Sequence, residues 1–135
     1  MKHAVRNWAR SWARGWATHD SALIGSLYAA DAVHISQPFR EPRPPAEYAE
    51  WAFSDEAGAE VWFAEPIVEG NRASVAWWAI SHLHDGRDTT LAGLADIWFG
   101  DDGRVVRQID YWNEAEDTAK PPPDGWGPIL AHEKS

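Results

Sequence analysis

Three side chains in this 135-residue sequence combine the right chemistry and setting to move a proton. Asp110 lies between Ile109 and Tyr111, and Asp96 lies in Leu94-Ala95-Asp96-Ile97-Trp98, both in stretches otherwise built for burial. A carboxylate that faces an apolar cavity is penalised in its charged form. Its pKa rises, and it becomes an acid or base usable near neutral pH. On adjacent strands the two would form an acid/base pair with separated pKa values. On opposite faces, one of them is only a solvated or interface charge. His34, in Val33-His34-Ile35-Ser36, is the third, because a neutral imidazole gives or takes a proton in the same pH range. Asp110, Asp96 and His34 are therefore the candidate catalytic residues. If Asp110 faces inward, Gln108 and Trp112 do too, because strand side chains alternate.

The surroundings of such a site are written in tryptophan. The chain has 10 Trp against 1 Met and 4 Phe, which suits either a core with wide gaps or a cavity with aromatic walls. Trp12, Trp51, Trp78 and Trp112 are the candidate walls, together with Tyr28 as a hydroxyl donor and Ser36 and Gln37 as orienting groups. Arg40, Glu41 and Arg43 read as solvated charges on a loop at the cavity mouth. His82 and His84 share one face of a strand, a metal-ligand spacing if a carboxylate joins. They abut the wet Asp85-Gly86 turn, so no metal site is assigned.

The elements that would hold these residues follow from periodicity. Val5, Trp8, Trp12 and Trp16 recur at helical spacing, Thr18-His19-Asp20 interrupts the helix, and Asp20 caps a second helix that carries Leu23, Ile24, Leu27 and Tyr28 inward. A short strand, Val33 to Ser36, ends at Pro38. Pro44-Pro45 opens a third helix with Tyr48, Trp51 and Ala52 as its buried stripe. Residues 54–58 read as an acidic connector. The second half alternates like sheet: 60–69 broken at Pro66, 72–84, 89–99 and 104–113, with turns at Gly70-Asn71, Asp85-Gly86 and Asp101-Asp102-Gly103. The expected fold class is α+β: a cone-shaped, strongly bent, mostly antiparallel sheet with three N-terminal helices over its concave face. Residues 1–115 form the expected single domain. Residues 116–135 form a Pro-rich tail, with Trp126, Ile129 and Leu130 as docking points.

Composition narrows the class of function. A net charge of -9 makes nucleic acid and anionic membrane poor partners. No cysteine means no thiolate nucleophile, no disulfide framework and no Cys-held metal. No apolar run reaches the roughly 20 residues of a membrane helix, and the first residues lack a signal-peptide core, so a soluble cytoplasmic protein is expected. Strand 72–84 is apolar at both parities, with Trp77 and Ala79 on one side and Trp78 and Ile80 on the other. That pattern implies a second covered surface, for which a homodimer through the outer sheet face is the expectation.

The helix pair ending Leu27-Tyr28-Ala29-Ala30-Asp31-Ala32-Val33, the loop Gln37-Pro38-Phe39-Arg40-Glu41-Pro42 and the last strand Gly103 to Trp112 resemble the nuclear-transport-factor-2-like fold and its SnoaL-like group of small bacterial proteins. The resemblance covers about residues 5 to 115. It implies a cone with one ligand cavity, hosting chemistries as different as limonene-epoxide hydrolysis, ketosteroid isomerisation and polyketide cyclisation. His34, Ser36, Pro38 and Asp110-Tyr111-Trp112 look similar to positions of the epoxide hydrolases. The Arg-x-Asp pair those enzymes need on a middle strand is absent, since that stretch reads Trp77-Trp78-Ala79-Ile80. The general-base Asp of the isomerases has Gln37 in its place, which is no base. The expected function is binding of a small hydrophobic organic ligand, cyclic or aromatic. Acid/base turnover of that ligand without a cofactor would be of isomerase, cyclase, dehydratase or hydrolase type. A non-catalytic ligand-binding or dimeric interaction module of the same fold is the alternative.

Overall fold

Large apolar side chains at helical spacing form α1 (Lys2–Thr18), which buries Val5, Trp8, Ala9, Trp12 and Ala13 in a computed structural model describing residues 1–124 and Trp126. His19 ends α1 in the left-handed conformation, with φ 57°. The next amide, Asp20 N, then bonds Gly15 O at 2.8 Å, a pattern that satisfies carbonyls left open at a helix end. The Asp20 carboxylate caps α2 (Ser21–Gly25) by accepting from Leu23 N at 3.0 Å.

α2 is shorter than its pattern of apolar residues suggests. Tyr28 is not on a helix: β1 runs from Tyr28 to Ile35, twice the length expected. The cause is tertiary. Tyr28 pairs with Val105, whose amide donates to Leu27 O at 2.9 Å, so the ladder replaces the helical bonds that Leu27-Tyr28-Ala29-Ala30 would make alone. α3 (Pro45–Phe53) starts at proline as expected, but it buries Ala49 and Phe53. Tyr48, Trp51 and Ala52 face the cavity instead of a closed core, and Trp51 is exposed.

The expected acidic connector is the start of β2 (Glu56–Phe63). Pro66 separates it from β3 (Ile67–Glu69), and both strands pair with β4 (Arg72–Leu83). β5 (Asp88–Phe99) and β6 (Val105–Ala115) complete one six-stranded sheet, with the order β1-β6-β5-β4-β2 and β3 paired to β4. β1 and β6 are parallel and the other pairs antiparallel. The result is the α+β cone: a strongly curled sheet with the helices over its concave side.

The strands come closest at Gly93, which pairs with Trp77 on β4 and Trp112 on β6. A Cβ built there would lie 2.3 Å from Tyr111 O and 2.5 Å from Trp112 Cβ, and a carbonyl oxygen on a paired strand cannot swing away. Gly93→Ala should therefore cost roughly 2 kcal/mol, read as a lower urea midpoint at unchanged slope. A variant as stable as the parent would mean that the two strands are not held this close.

Part of the outer sheet face is covered by the chain itself. Thr90 Oγ1 donates to Thr118 O at 2.6 Å, Lys120 N donates to Thr90 Oγ1 at 3.0 Å, and Trp78 Nε1 donates to Lys120 O at 2.8 Å. The Trp126 ring lies edge-on to Trp78 at 5.8 Å. The apolar residues at both parities of β4 are thus explained in part without a second molecule. Ile129 and Leu130 lie outside the described residues.

Candidate functional site

The inward positions of the curled sheet, α1, α3 and the loop after β1 enclose a half-open cavity of about 180 Å³. Trp8, Trp12 and Trp16 wall it from α1, Trp77 from β4, and Trp112 from β6. Asp110 projects into it from β6, between Gln108 and Trp112, with its side chain 13% exposed.

Behind the wall, a chain of hydrogen bonds fixes the polarity of this end. Trp12 Nε1 donates to Tyr28 Oη at 3.0 Å, and Tyr28 donates in turn to Gln108 Oε1. Trp8 Nε1 also donates to Gln108 Oε1, at 3.1 Å. An indole can only donate, so the Gln108 oxygen must face Trp8 and Tyr28. Its amide nitrogen is then left to donate to Asp110 Oδ1, at 3.0 Å. Burial pushes the Tyr28 hydroxyl well above its ordinary value, which keeps it a donor.

Burial also pushes Asp110 up to about 7, and the Gln108 hydrogen bond opposes that rise only in part. His34 Nε2 lies 4.0 Å from Asp110 Oδ2. Its ring is 1% exposed, and neither nitrogen has a hydrogen-bond partner among the described residues. Trp12 stacks along it at 6.5 Å, while Tyr28 and Tyr48 pack at 5.6 and 5.1 Å. Desolvation holds this imidazole down to about 4, so it is neutral. At that value the ring is far less basic than the Asp110 carboxylate, so the proton near pH 7 belongs to Asp110 and His34 is its neutral neighbour.

The other candidates separate cleanly by face. Trp12, Trp51 and Trp112 line the cavity. Tyr28 stands one layer behind it, hydrogen-bonded rather than open to a ligand. Ser36 is buried, with Oγ accepting from Arg40 Nη1 at 3.2 Å and its carbonyl accepting from Trp112 Nε1 at 2.6 Å. Gln37 makes a turn through its carbonyl, which accepts from Arg40 N at 3.0 Å, and does not line the cavity. Asp96 and Trp78 are not brought to the site. The ladder sets Asp110 opposite Ala95, so Ala95 shares the inward face and its neighbour Asp96 points outward, where Arg72 grips both carboxylate oxygens at 2.9 and 2.8 Å. Trp78 is outward for the same reason of parity, next to inward Trp77.

His82 is also away from the cavity. Its ring contacts Asp88 at 2.7 Å and Glu60 at 3.1 Å, and these carboxylates raise its pKa. Among the described residues no group of three or more His, Cys, Asp or Glu is placed to hold a metal ion.

Two lining residues had no strong signal in the sequence. Glu56, expected in a solvated connector, is buried at the opposite end of the cavity from Asp110. It accepts from Trp16 Nε1 at 2.9 and 3.1 Å and from Ser81 Oγ at 2.6 Å, with His19 Nε2 at 3.4 Å. Desolvation raises its pKa against the pull of those donors. Arg40, expected to be solvated, lies with its guanidinium 5.3 Å from the Trp112 ring and 5.8 Å from the Trp51 ring.

The model of the SnoaL-like domain family matches residues 9–108. A search of curated proteins finds no significant sequence match. Among solved structures, SalBIII, an epoxide hydrolase/cyclase-like enzyme in pyran ring formation in the polyether salinomycin, is similar with a TM-score of 0.70 at 14% identity, over 83% of this chain and 89% of that one. An LEH-like epoxide hydrolase of M. tuberculosis is similar with a TM-score of 0.65 at 16% identity, over 82% of each chain. An NTF2-like protein of unknown function from Exiguobacterium sp. 255-15 gives 0.64 at 14% identity, over 82% of this chain and 98% of that one. At such identities the likeness is one of fold.

Proposed function

The chain belongs to the SnoaL-like domain family, and on that premise we propose that it binds an apolar cyclic or aromatic small molecule and catalyses proton transfer on it, with Asp110 as acid and base. The observation that carries this reading is a carboxyl group in a tryptophan-walled cavity, held by one side-chain hydrogen bond and pushed by burial to about 7. A base is most effective when its pKa lies near the working pH. In its ionised form, Asp110 takes a proton from a carbon next to a carbonyl; the C–H pair forms a C=C bond to the carbonyl carbon, and the carbonyl π pair moves onto its oxygen. The protonated Asp110 then returns the proton at the same or another carbon. Gln108 fixes the carboxyl orientation, and His34, 4.0 Å away, is the neutral ring that completes its dry surroundings. Tyr48 lines the same end of the cavity and supplies a donor for the oxygen that gains charge.

Epoxide hydrolysis of the limonene-epoxide type is not proposed. Val75, Trp77, Ala95 and Ile97, the inward residues of β4 and β5 nearest Asp110, carry no charge, so no Arg-x-Asp pair completes that machinery. Homodimerisation also belongs here as a proposal, supported by Ile67, Leu94 and Tyr111 exposed on the outer sheet face. No helix of the described residues is long and apolar enough to cross a membrane.

The test is an NMR titration of the Asp110 side-chain carboxyl carbon, paired with hydrogen–deuterium exchange of an enolisable aromatic ketone such as 2-tetralone. The midpoint should fall near 7. Exchange should exceed the buffer rate and drop about a hundredfold or more in Asp110→Asn. A midpoint near the ordinary carboxylate value would remove Asp110 as the base and leave the non-catalytic ligand-binding module as the better reading.

A further inference from the structure

Arg40 is the arginine that lines this cavity, and its setting differs from that of the four arginines paired with surface carboxylates. Arg6 pairs with Glu65, Arg43 with Glu47, Arg72 with Asp96 and Arg87 with Asp85. Arg40, in a chain with a net charge of -9, has no carboxylate partner among the described residues. Its guanidinium is held over the Trp112 and Trp51 rings and donates once to Ser36 Oγ at 3.2 Å. Its charge also lies close enough to the Tyr48 hydroxyl to oppose the rise in that group's pKa. A guanidinium carries five N–H donors in a rigid plane and no acceptor, so part of its fork is left for something else. Stacked arginine is pre-ordered, weakly hydrated and shaped for two-point contact with a carboxylate.

The far end of the cavity reinforces one orientation. Asp55 and Glu56 line it there, next to Trp16 and Phe53, and repel an anion. Between the two ends the walls are Trp12, Trp77 and Leu91, which suit a ring.

We propose that Arg40 sets substrate class by binding a carboxylate on the ligand, so that the cavity takes an aryl or alicyclic carboxylic acid with its acid group at Arg40 and its ring against Trp12 and Trp77. The inference rests on the reading of this cavity as a small-molecule site, and it does not depend on the proton transfer assigned to Asp110.

The test compares two optically silent ligands of one shape, cyclohexanecarboxylate and the neutral cyclohexylmethanol, by their effect on tryptophan emission. The carboxylate should bind about tenfold tighter or more, as expected for hydrogen bonds to a charged group. Arg40→Gln should erase that preference while binding of the alcohol stays within about twofold. Arg40→Lys, which keeps the charge and loses the fork, should retain only part of it. Asp110→Asn removes a competing carboxylate from the same end of the cavity and should preserve or widen the preference, which separates failure of the proton-transfer reading from failure of this one. Should Arg40→Gln not fold, the partial loss in Arg40→Lys decides. Equal binding of the two ligands, no binding of either, or a preference that survives both Arg40 variants would overturn the proposal.

Discussion

Between pH 4 and 6.5 the Asp110→Asn variant should gain steadily in stability relative to the parent protein, by about 3 kcal/mol. The contrast comes from two buried groups whose pKa values move in opposite directions. Asp110 rises from 3.8 unfolded to about 7 folded, so between those values the folded state holds more protons than the unfolded chain. Its contribution to stability is full below 3.8 and is lost as pH climbs through 7, an amount of about 4 kcal/mol. His34 falls from 6.5 unfolded to about 4 folded, so the unfolded chain holds more protons across that range. Its contribution is full above 6.5 and is lost as pH falls through 4, about 3 kcal/mol in the other sense. Where the ranges overlap, one group binds a proton on folding and the other releases one, and the two slopes cancel. Asparagine keeps the acceptor for Gln108 and removes one slope. His34→Phe removes the other and should give a protein that loses stability from pH 4 to 7. Glu56, also raised by burial, adds a fall with pH common to every variant, so the quantity to read is the difference from the parent. Urea midpoints at half-unit pH steps supply it. Parallel curves for parent and Asp110→Asn would show that Asp110 is not desolvated.

How far such a site can be read from sequence depends on the range of the interactions that make it. α1, α3 and the four long strands follow from local periodicity and turn residues, and the structure has them within a few residues of the sequence reading. Alternation also shows that Gln108, Asp110 and Trp112 share a face. It does not give the phase of β5 relative to β6. That needs the register Asp110–Ala95, and this pairing is what sends Asp96 to the outer face. β1 is the converse case: Leu27-Tyr28-Ala29-Ala30 has good helical spacing, and the ladder to β6 overrides it. Glu56 lies in Ser54-Asp55-Glu56-Ala57-Gly58, where every neighbour speaks for solvent. Its burial is made by Trp16 and Ser81, 40 and 25 residues away, and no local pattern carries that information. Arg40 was hidden in the same way, since the aromatic faces that hold it come from α3 and β6.

Gln108 joins the hydrogen-bonded chain to the proposed chemistry, so Gln108→Leu should change stability and acidity together. The side chain is 1% exposed, and leucine is close to it in size. The loss is therefore one of hydrogen bonds rather than of packing. Leucine leaves Trp8 Nε1 with only the Tyr28 hydroxyl, 3.4 Å away. It leaves that hydroxyl without its acceptor and Asp110 Oδ1 without its donor. Buried donors stranded in this way cost about 1–3 kcal/mol each, partial repair between Trp8 and Tyr28 lowers the sum, and a net loss of about 3 kcal/mol is expected. The second effect has a fixed sign. The Gln108 amide is the hydrogen bond that opposes the desolvation of Asp110, so its removal must move the Asp110 midpoint above 7. At pH 7 less of the group is then ionised, and turnover that needs the base form falls while the pH at half-maximal rate rises by the same shift as the carboxyl titration. A merely structural role for Gln108 would lower the urea midpoint and leave the titration where it was. A variant that is destabilised with an unmoved Asp110 midpoint would therefore disconnect the buried network from the carboxyl group it faces.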